Sequence, residues 1–92
     1  MNNEKKLNLD NLIVAIEYWQ QRTREDTKNG ELYVHVATLQ GDIGNHFSKC
    51  RHYEQAIKHS PRDPSIRSEY GLALFKQGKE AERQLKAALQ SD

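Results

Sequence analysis

The residue types best suited to metal binding or nucleophilic chemistry lie close together in the middle of the chain, at His46, Cys50 and His52. His46 and Cys50 are four residues apart, which sets both side chains on one face of a helix, and imidazole with thiolate suits zinc or copper. A closed site needs a second pair of ligands, and the sequence offers none. The pattern therefore favours a buried thiol beside solvated histidines, with no metal.

Catalysis by Cys50 or a serine would need a histidine and an acid to position it, together with backbone amides for an oxyanion. No stretch of the sequence suggests that assembly. Gly41, Gly44 and Gly78 are isolated turn residues, and no glycine-rich loop followed by Lys-Ser or Lys-Thr is present to hold a phosphate. We therefore expect no enzyme activity, no catalytic residue and no cofactor.

The amino-acid composition and net charge narrow the classes of partner that this chain can bind. The 92 residues suffice for one domain with its own core, and 36% hydrophobic with 29% charged residues is typical of a protein that folds. A net charge of +1 gives too weak a field to attract nucleic acid or an anionic membrane. The longest apolar run, 12–16, is too short to insert in a membrane, and a single cysteine favours a reducing cytoplasm.

Turn-forming residues divide the chain into segments with helical periodicity. Asp63-Pro64 can cap and open a helix, and Gly78 can adopt the left-handed conformation that ends one. Tyr33, Val34 and Val36 favour a strand over 31–39 locally, but the helical neighbours outweigh it. The sequence therefore predicts an all-α protein with five helices, at 9–25, 30–42, 45–59, 64–77 and 79–90.

An internal repeat underlies this division. Trp19 and Tyr53 are 34 residues apart, and so are Gly44 and Gly78. A period of about 34 residues is typical of arrays of helical hairpins. The chain therefore reads as a short array of such hairpins.

With that period, residues 12–92 resemble the tetratricopeptide repeat family. The last hairpin carries the resemblance best, through Tyr70-Gly71, Leu74, Gly78 and Ala81, and the middle hairpin adds Tyr33, Ala37, Gly44, Tyr53 and Ala56. Lys49, Gln40 and Arg67 depart from the family pattern. The resemblance implies one domain over 1–92, a right-handed stack of antiparallel hairpins made of a half-repeat or capping helix (9–25) and two repeats (30–63 and 64–92).

The resemblance also implies a binding surface. In such a stack the first helix of each hairpin lines a concave groove, and Tyr33, Val36, Tyr70 and Leu74 belong to the core. The Lys, Asn and Arg residues with which some family members grip a partner's carboxyl terminus are absent here. The groove residues that we expect to contact a partner are Val34, Thr38, Asp42, Ser68, Leu72, Phe75 and Lys76.

Two functions from different classes remain open. The first is an adaptor or scaffold that binds a peptide or helix of another protein in the groove. The second is a self-associating structural subunit, a homodimer with no separate peptide ligand. Exposure of Ile66 or Leu74 at the end of the array would favour the second, because an unpaired apolar end invites self-association.

Overall fold

The computed structural model describes the backbone of residues 2–90 and the side chains of residues 9–90. Residues 1, 91 and 92 of the predicted 1–92 domain lie outside this range. The regular secondary structure of residues 2–90 is all helical, with no strand, so the all-α prediction is confirmed and 31–39 is helix. The helices are α1 (Asn2–Glu25), α2 (Gly30–Asp42), α3 (His46–His59) and α4 (Pro64–Gln90).

Polar side chains fix where three of these helices begin. The side-chain oxygen of Asn29 accepts from the Glu31 amide at 3.2 Å, and that of Asn45 accepts from the Ser48 amide at 3.2 Å. Asp63 does the same for α4, accepting from the Ser65 amide at 3.0 Å. Each cap satisfies an amide that has no partner inside the helix. Asn45 is therefore the cap of α3, one residue before the first helical residue.

The core lies between α2 and α3. Val36, Ala37 and Ala56 are fully buried there, and Leu32 and Tyr53 are nearly so. Alanine at two of these positions lets the helix backbones approach closely. Gly30 makes the closest approach, since a Cβ atom there would lie 2.7 Å from the Ala56 carbonyl oxygen and would also collide with Ser60.

One stacked pair of rings joins each helix to the next. Trp19 of α1 stacks on His35 of α2 with centroids 4.3 Å apart, and Tyr33 of α2 stacks on His59 of α3 at 5.2 Å. The third pair, Tyr53 of α3 and Tyr70 of α4, has centroids 5.0 Å apart. Such pairs add to the stabilisation from burial. Trp19 and Tyr53 thus each stack on a ring of the next helix, and their separation of 34 residues matches the sequence repeat.

The structure differs from the sequence prediction at Gly78, where we expected one helix to end and another to begin. Residues 64–90 form one helix, and Gly44 is the one described glycine with a positive φ, at 85°. Glycine inside a helix costs only about 1 kcal/mol relative to alanine. The strong helix formers Lys79, Glu80 and Ala81 follow at once, with no residues left for a loop, so continuing the helix is the easier course.

Because α4 continues straight, its second half leaves the body of the protein. Ile66 is the one buried side chain described in α4, while Leu74 is 43% exposed and Leu85 62% exposed. The prediction that Leu74 belongs to the core is therefore wrong, because the helix expected to cover it does not fold back. Val36 is buried as predicted, and Tyr33 and Tyr70 are half-buried.

Candidate functional site

A groove runs along α4 where that helix diverges from the ends of α2 and α3. Its volume is about 600 Å³, within the range of ligand-binding clefts. Three helices line it, so its shape depends on how α4 leaves the α2–α3 pair. The lining residues are Thr38, Gly41, Asp42, His46, Lys49, Tyr53, Glu69, Leu72, Ala73, Lys76, Gln77, Glu80, Ala81 and Gln84.

The structure brings together four of the seven residues that the sequence placed in the groove. Thr38 and Asp42 contribute from α2, one helical turn apart, and Leu72 and Lys76 contribute from α4 with the same spacing. Leu72 is 53% exposed, so a large apolar surface faces the open groove. It is a candidate anchor point for an apolar side chain of a partner.

The other three predicted residues do not line this groove. Val34 is half-buried one turn before Thr38, and its carbonyl oxygen accepts from the Thr38 hydroxyl at 3.0 Å. Ser68 and Phe75 are exposed, but they lie beside the face of α4 that carries Glu69 and Ala73. Ser68 and Phe75 therefore lie about one position around the helix from the residues of α4 that line the groove.

Lys49 is the least expected feature of the groove. The side chain is 4% exposed, and its Nζ donates to Gln77 Oε1 at 2.6 Å and lies 3.3 Å from His46 Nδ1. Its stem crosses Gly41, where a Cβ atom would meet Lys49 Cδ at 2.9 Å. Among residues 9–90 no carboxylate is paired with it. A buried lysine whose hydrogen-bond partners are an amide oxygen and an imidazole nitrogen therefore lies beside the cavity.

The far wall of the groove comes from a part of α4 that sequence reasoning could not place. Glu80, Ala81 and Gln84 line it only because the helix continues through Gly78. Gln84 Nε2 donates to Glu80 Oε1 at 3.3 Å, which orders that wall. The useful signal in the sequence was the run of helix formers after Gly78.

A shallower concavity lies on the opposite side of α3. It has a volume of about 510 Å³ and includes Phe47, which is 75% exposed. The Arg51 guanidinium lies 5.9 Å from the Phe47 ring centroid, close enough for a cation–π contact. The other residues that line this concavity are Tyr33, Ser48, His52 and Gln55.

The histidines and the cysteine are engaged in protein contacts. His52 Nδ1 lies 2.7 Å from the Ser48 carbonyl oxygen, and Cys50 is half-buried. Over the described side chains no three His, Cys, Asp or Glu residues come together in a way that could hold a metal ion. A hydrogen bond with Cys50, followed by partial burial and the charges of Cys50 and Glu54, raises the pKa of Tyr70 to about 12.

The chain matches no known family model, and neither curated proteins nor solved structures show a significant match to it. In the described part of the chain, no helix is long and apolar enough to cross a membrane. The geometry of the groove is therefore the main guide to function.

Proposed function

We propose that this chain is a protein-binding adaptor or scaffold with a tetratricopeptide-like fold, and that the groove along α4 receives a helix or extended peptide of its partner. The observation that carries the proposal is the groove itself, open over about 600 Å³ and lined by three helices. Its length along 69–84 suits an elongated ligand better than a compact small molecule. Partner helices often bind in grooves of this kind.

The lining of the groove also suits a peptide. Leu72 and Ala73 offer apolar contact at the centre, while Asp42, Glu69 and Lys76 place charges of both signs at the sides. Interfaces between proteins commonly combine an apolar centre with a polar rim. The paired rings Trp19–His35 and Tyr53–Tyr70 support the repeat architecture, since Trp19 and Tyr53 lie 34 residues apart and His35 and Tyr70 lie 35 apart.

No catalytic role is part of the proposal. The groove is lined by two lysines, a histidine and carboxylates, and neither a cysteine nor a serine lies in its wall. We propose that the protein works in a reducing compartment such as the cytoplasm, where its single half-buried cysteine stays a thiol.

Photocrosslinking in the source cells tests the groove. A benzophenone amino acid replaces Lys76, which lines the groove, and in a matched variant it replaces Lys58, an exposed residue of α3 outside it. We expect an adduct with another protein from position 76 and none from position 58. The adduct should disappear in Leu72→Glu and persist in Val14→Glu, which adds the same charge on exposed α1 surface.

Equal adducts from both positions, or an adduct at position 76 that survives Leu72→Glu, would contradict the groove as the binding surface. Circular dichroism checks that both glutamate variants keep the helix content of the parent. Adducts at position 76 consisting only of this chain would favour the second candidate function, a self-associating subunit without a separate ligand. The exposed apolar side chains of α4 are the observation behind that alternative.

A further inference from the structure

Lys49 brings an amine to the wall of the groove without a carboxylate to meet it. The side chain is 4% exposed, and among residues 9–90 no carboxylate lies within ion-pair distance of its Nζ atom. Gln77 Oε1 at 2.6 Å and His46 Nδ1 at 3.3 Å account for two of the three N–H groups of an ammonium. Within the described part of the chain, the third N–H group has no acceptor.

The surrounding helices hold this amine in place. Gly41 lets the stem of Lys49 pass close to α2, since a Cβ atom at Gly41 would meet Lys49 Cδ at 2.9 Å. Gln77 fixes the other end of the side chain from α4. An ammonium group withdrawn from water is costly unless a counter-charge and hydrogen bonds meet it. A ligand that supplies the counter-charge therefore meets a donor that is already ordered, so little side-chain entropy is lost on binding.

The charges around Lys49 favour a carboxylate as the group that it binds. Asp42, Glu69 and Glu80 line the same groove, and they repel a doubly charged phosphate more strongly than a carboxylate with a single charge. An amide or a backbone carbonyl would accept the hydrogen bond but would bring no counter-charge. Hydrogen bonds from an ammonium to a carboxylate are roughly twice as strong as those between neutral groups.

Lys49 meets the ligand midway along the groove. Its partner Gln77 stands at the middle of residues 69–84, the part of α4 that lines the groove. A segment that fills the groove therefore presents an internal side chain to Lys49, and its own ends lie elsewhere. Leu72, the candidate apolar anchor, comes five residues before Gln77, which is about 7.5 Å along the helix axis. Residues four apart in a helical ligand span about 6 Å, and residues two apart in an extended ligand span about 7 Å.

We propose that Lys49 binds an internal aspartate or glutamate of the partner segment, while Leu72 contacts an apolar side chain of the same segment. The partner motif is then an apolar residue and an acid at one of those two spacings. This inference rests on the proposed adaptor function and adds to it the chemistry of the partner.

Selection from a library of random peptides displayed on phage tests the partner chemistry with the purified chain. We expect the peptides whose binding is abolished by Leu72→Glu to share an apolar residue and an acid at one of the two spacings. Each such peptide is then synthesised with the acid and with the corresponding amide. Both forms enter a double-mutant cycle with Lys49→Met, which keeps an apolar stem of similar length but removes the donor.

The acid-to-amide change should weaken binding to the parent chain at least about tenfold, but binding to Lys49→Met by less than about twofold. A purely structural role of Lys49 would weaken binding of the acidic and amide peptides alike. Lys76→Met is the matched control, because Lys76 lines the same groove but is exposed, and it should leave the effect of the acid unchanged. On the unaltered chain, the acidic peptide should shift the NMR resonances of the Gln77 side-chain amide further than the amide peptide does.

The outcomes separate this inference from the function on which it rests. Peptides that require Leu72 but carry no acid at either spacing would overturn the inference and leave the adaptor function standing. The same holds for an acid whose effect persists in Lys49→Met or disappears in Lys76→Met. If no selected peptide requires Leu72, the groove is not the binding surface, and the inference fails together with the proposed function.

Discussion

Two parts of this molecule have similar amphipathic sequences and are held in helical form by different forces. The α2–α3 pair buries Leu32, Val36 and Ala56, and its helices support one another. The segment 79–90 of α4 has every described side chain exposed. The three ion pairs that the structure shows over residues 9–90 all lie within this segment. Apolar periodicity thus predicts a helix, but it does not reveal whether a partner face lies beside it.

The largest expected difference between the two parts is the effect of a leucine-to-alanine substitution on the free energy of unfolding. Leu32→Ala should lower the free energy of unfolding by about 3 kcal/mol, because it leaves a cavity between α2 and α3. Leu85→Ala should change it by less than about 0.5 kcal/mol in dilute solution, since Leu85 is 62% exposed. Denaturation by urea, monitored by circular dichroism, measures both. Equal losses would show that the second half of α4 packs on the body.

A pair of glycine substitutions should give effects of opposite sign. Gly30→Ala should destabilise the protein by about 1–3 kcal/mol, because the new methyl group would press on the Ala56 carbonyl oxygen, 2.7 Å from its position. Gly78→Ala should stabilise it by up to about 1 kcal/mol, because its helical backbone and open surroundings accept a methyl group. Thermal unfolding at low protein concentration compares the two. A destabilising Gly78→Ala would indicate that the glycine serves a turn.

A smaller effect should follow from removing the charge at Glu82. Glu82 pairs with Lys79 at 3.8 Å and with Lys86 at 3.2 Å. Exposed pairs of this spacing contribute about 0.2–0.5 kcal/mol each. Glu82→Gln should therefore speed amide hydrogen exchange in 79–90 and leave exchange in α2 and α3 unchanged.

Glu17→Gln, on exposed α1 surface, controls for the loss of one negative charge. The effect of Glu82→Gln should fade as salt is added, because surface ion pairs are screened. A change that spreads to α2 would mean that the two parts unfold together.

A pH-dependent effect is expected at Tyr70, where α4 still touches α3. Its pKa of about 12, against an ordinary value of 10.0, means that the folded state holds the phenolic proton more tightly than the unfolded state. The resulting stabilisation is present below pH 10.0 and is lost as the pH rises through about 12. Cys50→Ala should lower the Tyr70 pKa toward its ordinary value, as followed by tyrosine ring carbon resonances, whereas Ser48→Ala should not.

Sequence reasoning predicted what depends on local chemistry. Asp63 was predicted to cap α4 because it supplies a side-chain acceptor next to its own helix, whereas the caps at Asn29 and Asn45 were not predicted. The helix end predicted at Gly78 was wrong, although the conformational freedom of glycine made it a reasonable prediction. Glycine permits a left-handed stop without requiring one, and the residues that follow it favour helix.

The residues of the candidate groove likewise divide into those that the sequence could predict and those that it could not. Thr38, Asp42, Leu72 and Lys76 could be named before the structure was known, because the resemblance to tetratricopeptide repeats implies that these positions line a concave groove. Lys49 stood out in the sequence only as a departure from the family pattern, and nothing in its neighbourhood predicts burial opposite Gln77, 28 residues away. Burial of that kind depends on the packing of α3 against α4.

A distance measured across Gly78 tests the straight course of α4 most directly. Spin labels at positions 68 and 86, in a Cys50→Ser background diluted with unlabelled chain, report the separation within one copy. A continuous helix places these positions about 27 Å apart, at 1.5 Å per residue. We expect that value. A separation of about 10 Å, the spacing of two packed helices, would show that 79–90 folds back and that the groove lacks its far wall.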